Sequence, residues 1–303
     1  MIPYLPYDQR KPDYQYQNAI RKIMDNGIMS PAPSGVPTKT YLGLEMRFPV
    51  ANGCPVITER DLAPERKTKV PTIWRQAIGE LIAFINGART HEEISKYGCT
   101  WWKSFLTDRK CLKRGLEPGD NGPGSYGAAF HDFPTPDGAG FNQFLAVIEQ
   151  MKDRPELKTH IVSPWIPFHT FRGEKFDQKV VICPCHGWCQ FTILNGELYL
   201  YMTQRSGDFP IGVPNNMIQY FALLLMVAQV LGIKPAGFIH NVVNAHVYED
   251  QIDKIDELIS RKPYCFPTLK LNADKDNIFD YRQEDFELED YYPHSGINFP
   301  ATV

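Results

Sequence analysis

The stretch CPCHGWCQF, residues 183–191, gathers three of the chain's seven cysteines and one histidine. Three chemistries use such a cluster: a metal knot, a disulfide, or one reactive thiol among buried neighbours. Zinc knuckles place two residues between paired cysteines, and Cys183, Cys185, His186 and Cys189 do not follow that spacing. No second Cys or His pair lies at a fitting distance, so no metal is expected. An odd cysteine count with no visible leader segment fits free thiols in a reducing compartment, the cytoplasm by default. Cys183 and Cys189 read as buried small hydrophobes. Cys185 stands apart. It follows Pro184, and Arg205 in QRSGD (204–208) falls at the end of the strand expected to pair with the cysteine's own. A thiol of pKa ~8.5 is barely ionised at neutral pH, so an adjacent guanidinium makes it a better nucleophile. A structural ion-pair role for Arg205 is the alternative.

Holding such a thiol in place takes a rigid frame. A chain of 303 residues, 43% hydrophobic and 13% aromatic, can bury a substantial core. No internal repeat or linker divides it, so residues 1–303 read as a single α+β domain built on a mixed sheet. Apolar periodicity predicts helices over 16–25, 72–87, 141–152, 214–232 and 249–261. Strands are expected over 40–48, 159–165, 179–184, 189–194, 197–204 and 236–248, with a hairpin at Asn195–Gly196. The Gly- and Pro-rich stretch from 100 to 140 reads mostly as functional loop. A net charge of −3 argues against a general nucleic-acid binder. The longest apolar run, 220–233, is interrupted by Gln229 and too short to span a bilayer, so it is expected as a buried helix and no membrane partner is implied.

Several motifs follow one another in a telling order: PTPDG (134–138), PCHGWCQF, QRSGDFPIGVPNNMIQYFALLLMVAQ, AHVYEDQI and the tail NIFDYRQEDFELEDYYPHSGINFPATV. From about Met46 onward the chain resembles the folate-dependent thymidylate synthases and the related pyrimidine nucleotide hydroxymethylases. The resemblance implies a methylenetetrahydrofolate co-substrate, a pyrimidine nucleotide, no metal and a homodimer formed through one face of the sheet.

It also implies roles for single residues. Cys185 matches a nucleophile that adds to pyrimidine C6 and makes C5 enolate-like. Arg205 matches its activator, holding the nucleotide phosphate together with Ser206. Asn216 matches the reader of uracil O4 and N3–H, although asparagines at a helix start, Asn215 and Asn216, are also common caps. His246 and Tyr248, two apart on one strand face, match the pair that binds the sugar hydroxyl. Asp208 matches a carboxylate that fixes the pterin. Glu80, on an apolar helix face, matches a proton relay whose pKa burial would raise; a solvent-facing helix Glu is the plainer reading. Tyr126 matches a tyrosine placed for removal of the C5 proton. Trp101, or its neighbour Trp102, matches an aromatic on the folate, and His186 a residue that orders water near the base. The Val303 carboxylate is a candidate latch of a tail that closes over folate.

The sequence departs from the family at its phosphate arginines. Pro33 stands near the early loop arginine, and Lys158 and Thr159 stand where the partner subunit would donate two more. Lys158 could restore one charge, as could the basic stretch 65–69, but not a bidentate fork. Asn215 replaces a phenylalanine beside the folate and Asn244 replaces an aspartate; Asn215 and Ser104 suggest a wetter folate face. Reductive methylation of dUMP to dTMP is therefore set beside hydroxymethylation of dUMP, dCMP or CMP. A non-catalytic nucleotide- or RNA-binding paralogue is the third reading.

Overall fold

The structure, a computed structural model, describes residues 2–64 and 70–302. Six strands form the main sheet: β1 (Ile28–Ser30), β2 (Thr38–Pro49), β3 (Ile161–Val162), β4 (Trp188–Leu194), β5 (Glu197–Asp208) and β6 (Lys234–Tyr248). Their order is β1-β2-β6-β5-β4-β3, and β7 (Thr268–Leu271) with β8 (Phe286–Glu289) makes a separate antiparallel pair. Among the described residues ten helices accompany them: α1 (Gln15–Asn26), α2 (Ile73–Ile85), α3 (His91–Lys96), α4 (Trp102–Phe105), α5 (Asp108–Leu112), α6 (Tyr126–His131), α7 (Gln143–Asp153), α8 (Pro167–Thr170), α9 (Gly212–Leu231) and α10 (Ile255–Ser260). This is the α+β mixed sheet with packed helices that the sequence implied.

Among the described strands only β5 and β6 run parallel, and α9 makes the crossover between them. That topology brings the carboxyl ends of both strands together, with Asp208 opposite His246 and Ser206 opposite Asn244. Leu198, Leu200, Met202 and Gln204 turn inward from β5 by the two-residue alternation of a strand. They meet α9, which is long and apolar enough to cross a membrane but is buried in the core, packed against α2 and the sheet. Gly232, at φ 66°, closes α9 in the left-handed region where glycine carries no Cβ penalty.

Several expectations need correction. Residues 179–184 form no strand, because Asn121 takes over their backbone partners: its Oδ1 accepts from Ile182 N–H at 2.7 Å and its Nδ2 donates to the Ile182 carbonyl at 3.2 Å. The strand expected over 159–165 shrinks to Ile161–Val162, since Pro164 cannot donate to a ladder. The loop from 100 to 140 holds three short helices, α4, α5 and α6. The segment 249–261 begins as 3-10 turns over Glu249–Lys254 before α10. Finally, α9 starts at Gly212 without a side-chain cap, so neither Asn215 nor Asn216 is an N-cap.

Candidate active site

Cys185 lies in the turn that leads into β4, held from three sides. Its N–H donates to the Tyr126 hydroxyl at 2.6 Å, placed by α6, and its carbonyl accepts the Arg205 N–H at 2.7 Å. The Arg205 guanidinium donates to the carbonyls of Pro184 (2.7 Å) and Cys183 (3.1 Å) and reaches Cys185 Sγ at 3.4 Å. Burial pushes the Cys185 thiol up, and Arg205 pulls it back down. Arg205 thus acts on the thiol in the expected direction, and burial outweighs it. Gly187, at φ 96°, makes the turn possible. A Cβ there would meet the Tyr220 hydroxyl at 2.7 Å and Phe130 Cζ at 2.9 Å. All seven cysteines are free, and among the described residues no group of His, Cys, Asp or Glu could hold a metal.

A row of buried polar side chains runs behind the thiol. The His240 Nε2 pairs with Gln204 Oε1 at 2.8 Å, and Gln204 Nε2 donates to Asn216 Oδ1 at 2.9 Å. Asn216 Nδ2 donates to Gln219 Oε1 at 2.8 Å, and Gln219 Nε2 donates to Glu80 Oε2. Every link points the same way, so His240 carries its proton on Nε2. Glu80 ends the row inside α2, and its Oε1 accepts from the Trp101 indole at 2.7 Å and from Trp102. Burial raises the Glu80 carboxyl, and the three N–H donors oppose that rise. Glu80 is buried, so the solvent-facing alternative does not hold. His186 is neutral: burial, with His240 and Arg205 nearby, lowers it to about 3, and its Nδ1 pairs with the Tyr220 hydroxyl at 2.7 Å.

At the strand ends, burial raises Asp208 to about 7. Its Oδ2 accepts from Gln251 Nε2 at 3.3 Å, while Oδ1 is buried without a partner. The same Gln251 amide donates to the Pro300 carbonyl at 3.1 Å, which ties the C-terminal segment to Asp208. His246 Nδ1 pairs with Asn244 Oδ1 at 2.9 Å, and the rings of His246 and Tyr248 meet edge to face. Burial raises the Tyr248 phenol, the Asp208 charge adds to this, and a hydrogen bond with Ser34 lowers it. Beside them a cavity of about 500 Å³ is walled by Ile73, Trp101, Ile211, Asn215 and Phe299, with Arg60 at its edge. Asn215 Oδ1 is buried there without a partner.

A family model described as thymidylate synthase matches residues 14–303, starting well before Met46, where the resemblance first becomes legible. The chain belongs to the thymidylate synthase family. It is 32% identical over 312 residues to the bifunctional dihydrofolate reductase-thymidylate synthase of Zea mays, covering 100% of this chain and 56% of that protein. It is 32% identical over 301 residues to the thymidylate synthase of Equine herpesvirus 2 (strain 86/87), covering 96% of this chain and 98% of the viral one. The chain therefore spans about half the length of the plant relative.

Within this thymidylate synthase-family site, the structure gathers Cys185, Arg205, Tyr126, His186, Asn216, Glu80, Asp208, His246 and Tyr248, with Ser206 on the strand between Arg205 and Asp208. Both tryptophans serve Glu80. Trp101 alone lines the cavity, whereas Trp102 is buried against Phe84 and Phe105. Lys158 does not join the group within one subunit: it is exposed ahead of β3, and its carbonyl accepts from Gln190. Ser104 contributes nothing to cavity polarity, because its exposed hydroxyl donates to the Trp101 carbonyl at 2.7 Å. Asn244 serves His246 and stands away from the cavity beside Trp101. Val303 and the basic stretch 65–69 lie outside the described residues. Sequence reasoning missed Gln204, Gln219, His240 and Gln251. Gln219 alone left a signal, a polar residue three positions after Asn216 on the same helix face.

Proposed function

We propose that this protein transfers a one-carbon unit from methylenetetrahydrofolate to C5 of a uracil nucleotide, in the simplest case converting dUMP to dTMP. The carrying observation is the orientation of Asn216. Its Oδ1 and Nδ2 each give one bond to the protein row and keep one free, an acceptor and a donor respectively. That pair complements uracil N3–H and O4, and the fixed direction of the row opposes the reversed pattern of cytosine. The Cys185 sulfur adds to C6 as the thiolate, forming an S–C6 bond and leaving C5 nucleophilic. Glu80 stabilises and relays protons at the base through Asn216, and Tyr126, bonded to the Cys185 N–H, is placed for removal of the C5 proton. Reversal of the first step then breaks the S–C6 bond and frees the enzyme. His246 and Tyr248 hold the sugar.

The cavity beside Trp101 fits a folate: aromatic and aliphatic walls for the ring system, with an unpartnered acceptor at Asn215 Oδ1 for a pterin N–H group; Asp208, three residues before the lining Ile211, keeps a second unpartnered acceptor behind that wall. Bound there, methylenetetrahydrofolate supplies the carbon and, for a methyl product, the hydride. Asn215 also favours a second reading, because a free acceptor in that wall can hold a water that captures the C5 substituent as hydroxymethyl. A turnover assay with dUMP and methylenetetrahydrofolate separates the two. Dihydrofolate formed with dTMP supports the synthase; hydroxymethyl-dUMP without dihydrofolate supports the hydroxymethylase. An unimpaired Cys185→Ala variant in the cell would favour the non-catalytic paralogue. The enzyme is proposed to work as a homodimer in the cytoplasm. Supporting this are the seven free cysteines and the sheet face opposite α9, which carries the half-exposed Tyr199, Tyr201 and Ile239. Light scattering tests the dimer.

A further inference from the structure

Five cationic side chains converge on one cavity of about 820 Å³. Arg109 and Lys110 come from α5, Lys113 and Arg114 from the turn that follows it, and Arg172 from the segment after α8. No acidic residue lines the cavity, and among the described residues none of the five makes a side-chain hydrogen bond or an ion pair. Gathering like charges without a counter-charge is unfavourable unless an anion joins them. The cavity's position says which anion. One wall is Pro33–Ser34, in the turn that leads into β2, whose Thr38 pairs with Tyr248, the sugar-facing tyrosine. The opposite wall is Val181–Ile182, just ahead of Cys185. The cavity thus opens between the sugar end and the nucleophile turn.

The resemblance implies phosphate-holding arginines where this chain has Pro33, Lys158 and Thr159, and Arg205 donates to the Pro184 and Cys183 carbonyls. We infer that Arg109, Lys110, Lys113, Arg114 and Arg172 form a phosphate subsite for the pyrimidine nucleotide within a single subunit, replacing a contribution from the partner. The inference rests on the nucleotide reading of the site and adds to it where the phosphate goes.

Calorimetric titration of the full-length protein with dUMP, deoxyuridine and pyrophosphate tests it, using Arg114→Gln/Arg172→Gln beside wild type, with thermal melts to show that both fold. The expected result is at least about tenfold weaker dUMP and pyrophosphate binding, unchanged deoxyuridine binding and a shallower salt dependence for dUMP. Arg172→Lys should lose less than Arg172→Gln. Unchanged dUMP affinity in the double variant overturns the inference while leaving the nucleotide site standing. So does a loss confined to the KM of a polyglutamylated folate, which would assign the cations to the folate tail's carboxylates. If the unaltered protein binds neither dUMP nor deoxyuridine, the reading of the site falls, and this inference with it.

Discussion

Asn216 and Gln219, one turn apart on α9, share a 2.8 Å hydrogen bond that joins the Asn216 amide to the buried Glu80 carboxyl group. Gln219→Leu keeps the volume but removes both of these contacts and a third, from Gln219 Nε2 to the Ala77 carbonyl at 3.0 Å. It leaves a buried donor on Asn216 and removes one of the three donors to Glu80, so stability should fall by about 1–3 kcal/mol. Turnover should fall further than stability explains, and the Glu80 pKa should climb. Thermal melts read beside a kcat–pH profile check both.

Asp208 gives a signed pH effect. Burial lifts its carboxyl from an ordinary value near ~4 to about 7 in the folded protein. The folded state therefore keeps a proton that the unfolded chain has lost, and stability declines as pH rises from about 4 to about 7. Asp208→Asn should remove roughly 2–4 kcal/mol of that decline. Glu59, also raised to about 7 by burial, supplies a remaining slope of the same sign. Urea unfolding at several pH values tests this; an unchanged slope in the variant would refute it.

The guanidinium of Arg205 meets two carbonyls and one sulfur at once, which a lysine ammonium cannot reproduce. Arg205→Lys should raise the Cys185 pKa and slow alkylation by iodoacetamide at pH 7 by about tenfold for each unit of rise. Mass spectrometry of the peptide carrying Cys185 reads the rate directly. Equal rates would mean that the guanidinium does not set the thiol's reactivity.

Gly187→Ala should cost about 1–3 kcal/mol. The residue sits at φ 96°, and its new Cβ would collide with Tyr220 and Phe130. The Cys185 turn must shift to relieve that contact, so kcat should drop by at least about tenfold, with nucleotide affinity less affected. Calorimetry alongside steady-state kinetics distinguishes displacement of the thiol from general unfolding.

Much of this frame was legible because its signals were local. Asn195 and Gly196 do take the paired positive φ angles, 52° and 77°, that a two-residue hairpin requires. The apolar run of α9 announced a core helix, and Glu80 was conspicuous as a carboxylate in the apolar α2. Residues 179–184 misled because their alternation is that of a strand, while their backbone bonds go to scattered groups, the Asn121 side chain and carbonyl, His169 and Gly124, and not to a neighbouring strand. Gln204 and His240 were illegible for a related reason. Each is one polar residue on an inward strand face, and its meaning comes only from the neighbour that folding brings across. The basic cavity was hidden likewise, because Arg172 lies far along the chain from α5.

The common polarity of the row from His240 to Glu80 has a consequence for how this protein could change its substrate. With its new carboxyl ionised, Asn216→Asp would set an oxygen against Gln219 Oε1, and Gln219 would have to turn over. Its own oxygen would then face Glu80, which could answer only by taking up a proton. Either Glu80 takes up that proton or the new carboxyl holds it, so on the proposed reading a change at the base-facing residue and the protonation of Glu80 are linked through one shared proton.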